Sequence, residues 1–136
     1  KLKIIDFYIV FPHLINTIRF PRAKGLSKIK KTVKTFTIPY ENLPSRRMVF
    51  SEMGDFQLQA IDILKSKKIL EVSQDSMISK GECFFDEAIQ NLINNNRITS
   101  QNFNKNFIKI LMDLPLYGDK GLKSRTGLME YRYDAV

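Results

Sequence analysis

The fold is decided by residues 46–66, RRMVFSEMGDFQLQAIDILKS. Apolar side chains recur in this segment at spacings of three and four residues, which places them on one face of an α-helix. These side chains are Val49, Met53, Phe56, Ala60, Ile63 and Leu64. Lysines at 65, 67 and 68 follow where a helix C-terminus favours positive charge, and residues 69–72 then favour a brief strand. The segment therefore predicts a long amphipathic helix that packs one face against a core.

Two more helices are predicted after this one. The first spans about residues 84–95 and carries the apolar stripe of a core-facing helix. Its stripe consists of Phe85, Ala88, Ile89, Leu92 and Ile93. The second begins at a Thr99 or Ser100 cap and ends at Leu114, because Pro115 disfavours a helical conformation in the residue before it. Its inward-facing side chains are Phe103, Phe107, Ile110, Leu111 and Leu114.

The N-terminal segment is densely apolar. The pattern from Leu2 to Ile18 is too dense for a surface helix with a single apolar face, so it predicts burial. Pro12 interrupts the pattern, because proline cannot continue a helix but can start one. We therefore expect a helix, a break at Phe11-Pro12 and a second short helix, with a buried strand as the alternative.

Residues 19–45 have a different character. Prolines and a glycine interrupt this stretch, so we expect it to be mostly loop. The interrupting residues are Pro21, Gly25, Pro39 and Pro44. Within the stretch, the alternation of β-branched and aromatic residues over 33–38 favours a short exposed strand.

Together these elements predict a small single domain that is mainly α-helical with a few short strands, an α+β fold. A chain of 136 residues is long enough to bury one core. It divides into a basic N-terminal third over 1–45, a helical core over 46–114 and a Gly/Arg/Tyr-rich C-terminal segment over 115–136. The order of these elements resembles a winged-helix domain, in which a final hairpin over 128–133 is the wing.

The composition argues against several classes of protein. Cys83 is the only cysteine, so no intramolecular disulfide is possible, and one cysteine with one histidine cannot build a Cys-based zinc site. The longest apolar run, Phe7 to Phe11, is far shorter than the roughly 20 helical residues that span a bilayer. We therefore expect a cytoplasmic protein without a membrane anchor, signal peptide, metal, cofactor or small-molecule substrate.

No catalytic constellation is recognisable in the sequence. His13 and Cys83 lie in apolar surroundings, where a lone histidine or cysteine is usually a packed structural residue. Residues 118–124, GDKGLKS, lack the spacing of a phosphate-binding loop, because Leu122 follows the glycine where that motif needs lysine. The sequence predicts that the protein is not an enzyme and has no catalytic residues.

Positive charge is concentrated in the first third of the chain. Residues 1–40 hold nine of the 22 Lys and Arg residues, against Asp6 as their only acid, and the remainder of the chain is neutral. Such a charge distribution attracts phosphate backbones independently of sequence. The candidate DNA-contacting residues are Arg19, Arg22, Lys24, Lys28, Lys30, Lys31 and Lys34. A solvated loop and a surface matched to an acidic partner protein are the alternatives.

A second candidate surface lies near the C-terminus, where Arg and Tyr residues are frequent. These residue types are enriched at interaction surfaces, because they combine contact area with hydrogen bonds. The candidate partner-interface residues are Lys123, Arg125, Tyr131, Arg132 and Tyr133. A terminal hairpin with no binding role is the alternative.

Both ends of the chain carry short motifs that are typical of a known family. They are LKIIDFY at 2–8, FPHL at 11–14, GLK at 121–123, RTGL at 125–128 and EYRYD at 130–134. With these motifs the chain resembles the middle components of prokaryotic ABC-three-component systems, which are similar to the small subunit of Lamassu-like defence systems. The resemblance implies two partners, an SMC-like ABC ATPase and an effector that is often a nuclease, acting against phage or plasmid DNA. It marks no catalytic residue.

The residues and the resemblance together favour a non-catalytic adaptor that links the ATPase to the effector in a DNA-surveillance complex. The alternative is a free-standing winged-helix transcriptional regulator that binds DNA. Its candidate recognition helix, over 100–114, has only Lys105 and Lys109 as basic residues, which argues against it. A third hypothesis, a small nuclease, lacks the acidic and histidine cluster of metal-assisted hydrolysis.

Overall fold

The computed structural model describes residues 1–22, 26–35, 44–95 and 102–129. Within these ranges the elements are helix α1 (Leu2–Val10), a 3₁₀ helix (Pro12–Thr17), α2 (Leu26–Val33), α3 (Arg46–Ser66), strands β1 (Leu70–Val72) and β2 (Ile78–Lys80), and helices α4 (Glu87–Asn95), α5 (Asn102–Asp113) and α6 (Leu122–Thr126). The described chain is mainly helical with a two-stranded antiparallel sheet, which confirms the predicted α+β class.

The N-terminal helix breaks at Pro12, as predicted. Helix α1 ends at Val10, and the next residue, Phe11, caps it by donating its N–H to the Phe7 carbonyl oxygen at 2.9 Å. Pro12 then occupies the first turn of the 3₁₀ helix, where a missing N–H costs no intrahelical hydrogen bond. Phe7, Tyr8 and Ile15 are fully buried, so this segment supplies the centre of the core.

Residues 26–33 form helix α2, so the prediction of loop is wrong there. Leu26, Ile29 and Val33 recur at helical spacing, and all three are buried. Burying this apolar face stabilises a helix that is too short to be stable by its own propensity. Tertiary packing therefore overrides the loop signals of the residues on either side.

Three other predictions fall partly or wholly on residues outside the described ranges. The strand predicted over 33–38 is wrong over its first three residues, which end α2 and form a turn, and its remainder lies outside the described residues. The helix cap predicted at residue 99 or 100 also lies outside them. Of the predicted wing over 128–133, only the first two residues are described.

Helix α3 has the predicted bounds. Its N-terminus is capped by Ser45, whose hydroxyl oxygen accepts the Met48 N–H at 3.3 Å. Gln57 is buried against α1, where its Nε2 donates to the Lys3 carbonyl oxygen at 3.0 Å and to Asp6 Oδ2 at 2.8 Å. These bonds join the middle of α3 to the first turns of α1.

The packed face of α3 is not the predicted face. Half of the residues predicted to face the core are exposed instead, namely Phe56, Ala60 and Ile63. Phe50 and Gln57 are the buried residues of this helix. The packed face is therefore rotated by roughly a quarter of a turn, which leaves an apolar stripe in solvent.

Strands β1 and β2 form a short hairpin at the C-terminal end of α3. They pair antiparallel, with Leu70 opposite Lys80 and Val72 opposite Ile78. Strand β1 confirms the brief strand predicted over 69–72, whereas β2 was not predicted. The Gly81 N–H then donates to the Ile69 carbonyl oxygen at 2.9 Å. A Cβ at Gly81 would collide with the neighbouring backbone, so only glycine fits this close approach.

Helix α4 lies within the predicted range but not in the predicted environment. It begins at Glu87 and buries none of its residues. In the stripe predicted to face the core, Ala88, Ile89 and Leu92 are exposed, and the other two residues are half-buried. The prediction that this stripe packs into the core of the chain is therefore wrong.

Helices α5 and α6 complete the core. Phe107 and Leu111 of α5 are fully buried, which confirms the inward face predicted for that helix at these two positions. Leu122 of α6 is also fully buried, and its N–H donates to the Pro115 carbonyl oxygen at 2.8 Å. Gly127 ends α6 in the left-handed conformation, with φ of 63°, that glycine adopts without strain.

Only part of the chain builds the hydrophobic core. Its buried members come from α1, the 3₁₀ helix and the residue after it, α2, the first turns of α3, α5 and residues 122–128. Residues 54–95 contribute none, and within that range only Gln57 and Leu70 are buried. We call residues 54–95 the arm and the other described residues the head.

Candidate functional site

Four of the candidate DNA-contacting residues lie together on α2. Lys28, Lys30, Lys31 and Lys34, on this helix and just after it, are all exposed, because the apolar face of the helix is turned inward. Their side chains form a positively charged surface without an acidic residue in the same segment. Lys24 lies outside the described residues.

The other described basic residues of this surface come from elements next to α2. Arg19 and Arg22 are exposed on the segment that follows the 3₁₀ helix. Helix α5 packs beside α2 and exposes Lys105 and Lys109. The fold therefore places two exposed lysines from a distant part of the sequence on a helix that contacts α2. Sequence reasoning did not group these two lysines with the basic stretch, because only the packing of α2 on α5 brings them near it.

Several arginines of the head bind backbone carbonyl groups. Arg46 Nη1 donates to the Thr126 carbonyl oxygen at 3.4 Å and also to the Thr17 hydroxyl oxygen at 2.6 Å, and Arg47 Nε donates to the Gly127 carbonyl oxygen at 2.7 Å. Arg125 donates from Nη1 to the Arg19 carbonyl oxygen at 2.6 Å. These guanidinium groups fasten α3 and α6 to the rest of the head. They were missed as structural residues, because nothing in a sequence marks which arginine will meet a carbonyl.

Only two of the five candidate interface residues near the C-terminus lie in the described part of the chain. Lys123 is only 8% exposed, and its Nζ lies 4.7 Å from the centroid of the Tyr117 ring, a cation–π contact. Arg125, as described, bonds within the head. Tyr131, Arg132 and Tyr133 lie outside the described residues. A role of these five residues in partner binding stays a prediction.

The two residues predicted to be structural have different environments. His13 is half-buried beside Phe11, with ring centroids 6.2 Å apart and planes at 88°, and burial lowers its pKa below the usual 6.5. Cys83, in contrast, is exposed, so its predicted packing in the core is wrong. Among the described residues, no group of three His, Cys, Asp or Glu side chains is placed to hold a metal ion.

The arm exposes large apolar side chains. More than half of the surface of each of five such side chains is accessible, and these are Phe56, Ile63, Met77, Phe84 and Leu92. Phe84 lies under the Lys80 ammonium group, 4.2 Å from the ring centroid. Helix α4 is well formed at its start, where Asp86 Oδ1 accepts the Ile89 N–H at 2.8 Å.

Charge is divided between the two parts of the molecule. The arm holds seven acidic and four basic residues, a net charge of −3, whereas the rest of the sequence carries +11. The head therefore attracts polyanions, and the arm repels them. Among the described residues, no helix has both the length and the apolar character that crossing a membrane requires.

The comparison with protein families agrees with the motifs at both ends of the chain. A family model described as ABC-three component (ABC-3C) system Middle Component 5 matches residues 1–134. No curated protein and no solved structure matches the chain. The family match spans nearly the whole sequence and confirms the resemblance to middle components. The chain therefore belongs to the Middle Component 5 family of ABC-three component systems.

Proposed function

We propose that this chain is a non-catalytic adaptor subunit in a Lamassu-like, cytoplasmic defence complex. In this role it links an SMC-like ABC ATPase to an effector, often a nuclease, that acts against phage or plasmid DNA. Membership in the Middle Component 5 family supports the role, because a middle component belongs to a multi-component system. The observation that carries the proposal is the division of one small chain into a basic head and an apolar, acidic arm.

An adaptor needs at least two separate surfaces, and the two parts of this chain differ in chemistry. The head presents exposed lysines over a packed core, which suits contact with a polyanion. The arm presents large exposed apolar side chains, which in soluble proteins mark sites of contact with other proteins. One surface therefore suits DNA or an acidic protein, and the other suits an apolar protein face.

Direct contact with the DNA backbone is the proposed role of the basic head. Lysines on a short helix bind phosphates as point charges and read no base sequence, so the contact would position the complex rather than select a site. The residues proposed for this contact are Arg19, Arg22, Lys24, Lys28, Lys30, Lys31 and Lys34. Lys105 and Lys109 add exposed positive charge on α5, the helix that contacts α2.

Co-purification tests the adaptor role. A tagged chain, expressed with the genes encoded beside it, should recover an ABC ATPase and an effector subunit together. Recovery of the tagged chain alone, with tight binding to one specific duplex, would instead support the winged-helix regulator. Recovery of a catalytic activity that persists in the isolated chain would exclude a non-catalytic role.

A salt titration tests the contact with DNA. The test variant is Lys28→Gln/Lys30→Gln/Lys31→Gln. Log K for DNA decreases as log salt concentration rises, and the steepness of this decrease should be smaller by about two to three in the variant, because each phosphate contact contributes about 0.9 to it. The matched control is Lys65→Gln/Lys67→Gln/Lys68→Gln, which removes three exposed lysines from the arm. Equal losses in both variants would show that binding follows net charge alone, and an unchanged slope in the α2 variant would exclude this surface.

A further inference from the structure

The arm is a folded segment without a core of its own. It contains the second part of α3, the β1–β2 hairpin and α4, yet only Gln57 and Leu70 are buried within it. The most exposed of its apolar side chains are Phe56 and Phe84, each 74% accessible, and Leu92, 72% accessible. In the head, by contrast, Phe7, Tyr8 and Phe107 are fully buried, and no described Phe side chain is more than half exposed.

Two elements of the arm are too small to be stable alone. A helix shorter than about 12 residues is marginal in water, and α4 has nine. An isolated two-stranded hairpin is also marginal, and each strand here has three residues. Both elements gain stability by burying apolar surface, and within the described ranges no residue of α4 is buried. The stripe on α4 has the spacing of a core-facing helix, and the described part of the chain leaves it unburied, so it is available to another molecule.

Acidic residues flank the exposed apolar residues along the chain. Asp55 precedes Phe56, and Asp62 precedes Ile63. Met77 and Phe84 each have a carboxylate within two positions, and the residues concerned are Asp75, Glu82 and Asp86. Lys80 lies over the Phe84 ring, but the arm as a whole has seven acidic residues against four lysines. A net acidic rim around an apolar patch is complementary to a partner with basic residues at the matching rim.

We infer that the arm is the docking surface for a partner protein whose contacting face is apolar and rimmed by lysine and arginine. The inference rests on the proposed function in that it places one subunit of the complex on the arm. A second copy of the chain fits less well. A symmetric arm-to-arm pair would bring together two arms that each carry a net charge of −3, and like charges at an interface oppose association.

Synthetic peptides test the chemistry of the arm without any knowledge of the partner. The probes are a short amphipathic helix of leucine and lysine, and its counterpart of leucine and glutamate. The full chain should bind the leucine–lysine peptide, and Phe56→Ser/Leu92→Ser should weaken that binding about tenfold, as loss of buried anchors does at interfaces. The same variant should leave binding of the leucine–glutamate peptide unchanged, because an acidic peptide would be attracted to the head.

The matched control is Leu2→Ser/Met112→Ser, which changes two head residues that are 49% and 52% exposed. It should leave binding of the leucine–lysine peptide within about twofold of the wild type. Circular dichroism of each variant verifies that the helices are retained. If both double variants weaken binding equally, or neither does, the arm is not the docking surface.

The separately purified ABC ATPase and effector subunits then identify the occupant. The arm variant should lose about tenfold in affinity for one of them, while the head control binds both as the wild type does. A wild-type homodimer that the arm variant dissociates, with subunit binding unchanged, would replace the partner protein by a second copy. If the wild type binds neither subunit, the proposed function fails, and the peptide result alone decides whether the arm docks a basic, apolar face.

Discussion

At the scale of single residues, burial of the Tyr8 hydroxyl group costs free energy of folding. Its ring packs edge-to-face against Phe7 and Phe107, with centroids 5.2 and 6.4 Å apart. Its hydroxyl oxygen is buried and lacks a hydrogen-bond partner among the described residues. Burial raises the pKa of Tyr8 above the usual 10.0, and the nearby Thr17 hydroxyl and Arg46 guanidinium partly offset that rise.

We predict that Tyr8→Phe leaves the free energy of unfolding at neutral pH unchanged or raises it by about 1 kcal/mol, since it removes an unpaired polar group but keeps the ring. The raised pKa also sets the sign of a pH effect. The contribution of Tyr8 to stability is complete below pH 10.0 and is lost as the pH rises through the folded-state pKa. Urea unfolding of both proteins at neutral and alkaline pH checks this. A variant that loses stability as steeply as the wild type at alkaline pH would contradict it.

Arg125 offers a second prediction at this scale. Its guanidinium donates to the carbonyl oxygens of Lys120 and Arg19, two groups that a lysine ammonium cannot reach in the same geometry. Arg125→Lys should therefore lower the free energy of unfolding by about 1–2 kcal/mol, measured by thermal or urea unfolding. Unchanged stability combined with weakened subunit binding would show instead that Arg125 acts mainly at a partner interface.

At the scale of elements, α4 and α5 have similar apolar stripes but opposite environments. Leu111 of α5 is fully buried, and Leu92 of α4 is largely exposed. We expect Leu111→Ala to lower the free energy of unfolding by about 2–5 kcal/mol, because it leaves a cavity in the core. Leu92→Ala should change it by less than about 0.5 kcal/mol. Denaturant unfolding of both variants checks the contrast, and a large effect of Leu92→Ala would mean that α4 is buried within the chain.

The sequence predicted those elements whose signals are local. The bounds of α3 agree because a serine cap precedes the helix and lysines follow its end, and the break at Pro12 agrees because proline limits the backbone. Helix α2 was missed, since its eight residues lie between proline-containing and glycine-containing stretches and its stability comes from packing. Strand β2 was missed because its three residues show no alternation of their own.

The two surfaces also differ in how far the sequence alone could predict them. The basic surface was predictable because charge can be counted along the chain, and α2 then displays it on one side of a helix. The arm was not predictable. Helical spacing shows that an apolar face packs against another surface, but not whether that surface belongs to the same chain. The face concerned is that of Phe85, Ala88, Ile89 and Leu92. That distinction depends on tertiary packing between residues far apart in sequence.

At the scale of the whole molecule, the head and the arm should differ in local stability. We predict that backbone amides of β1, β2 and α4 exchange with deuterium orders of magnitude faster than those of α1 and α5. The reason is that few buried contacts oppose local unfolding of the arm. Hydrogen exchange followed by mass spectrometry measures this directly. Adding the subunit that docks on the arm should slow exchange there. Equal protection of head and arm in the free chain would contradict the prediction.

The division of charge between head and arm has a further consequence. A body that is positive in one part and negative in another is an electric dipole, and the field of a polyanion exerts a torque on it. In the proposed contact with DNA, this torque would act within about 8–10 Å of the duplex at physiological ionic strength and would turn the basic head toward it before contact. The chain would then reach the DNA already oriented by its charge, with the acidic arm left available to a protein partner.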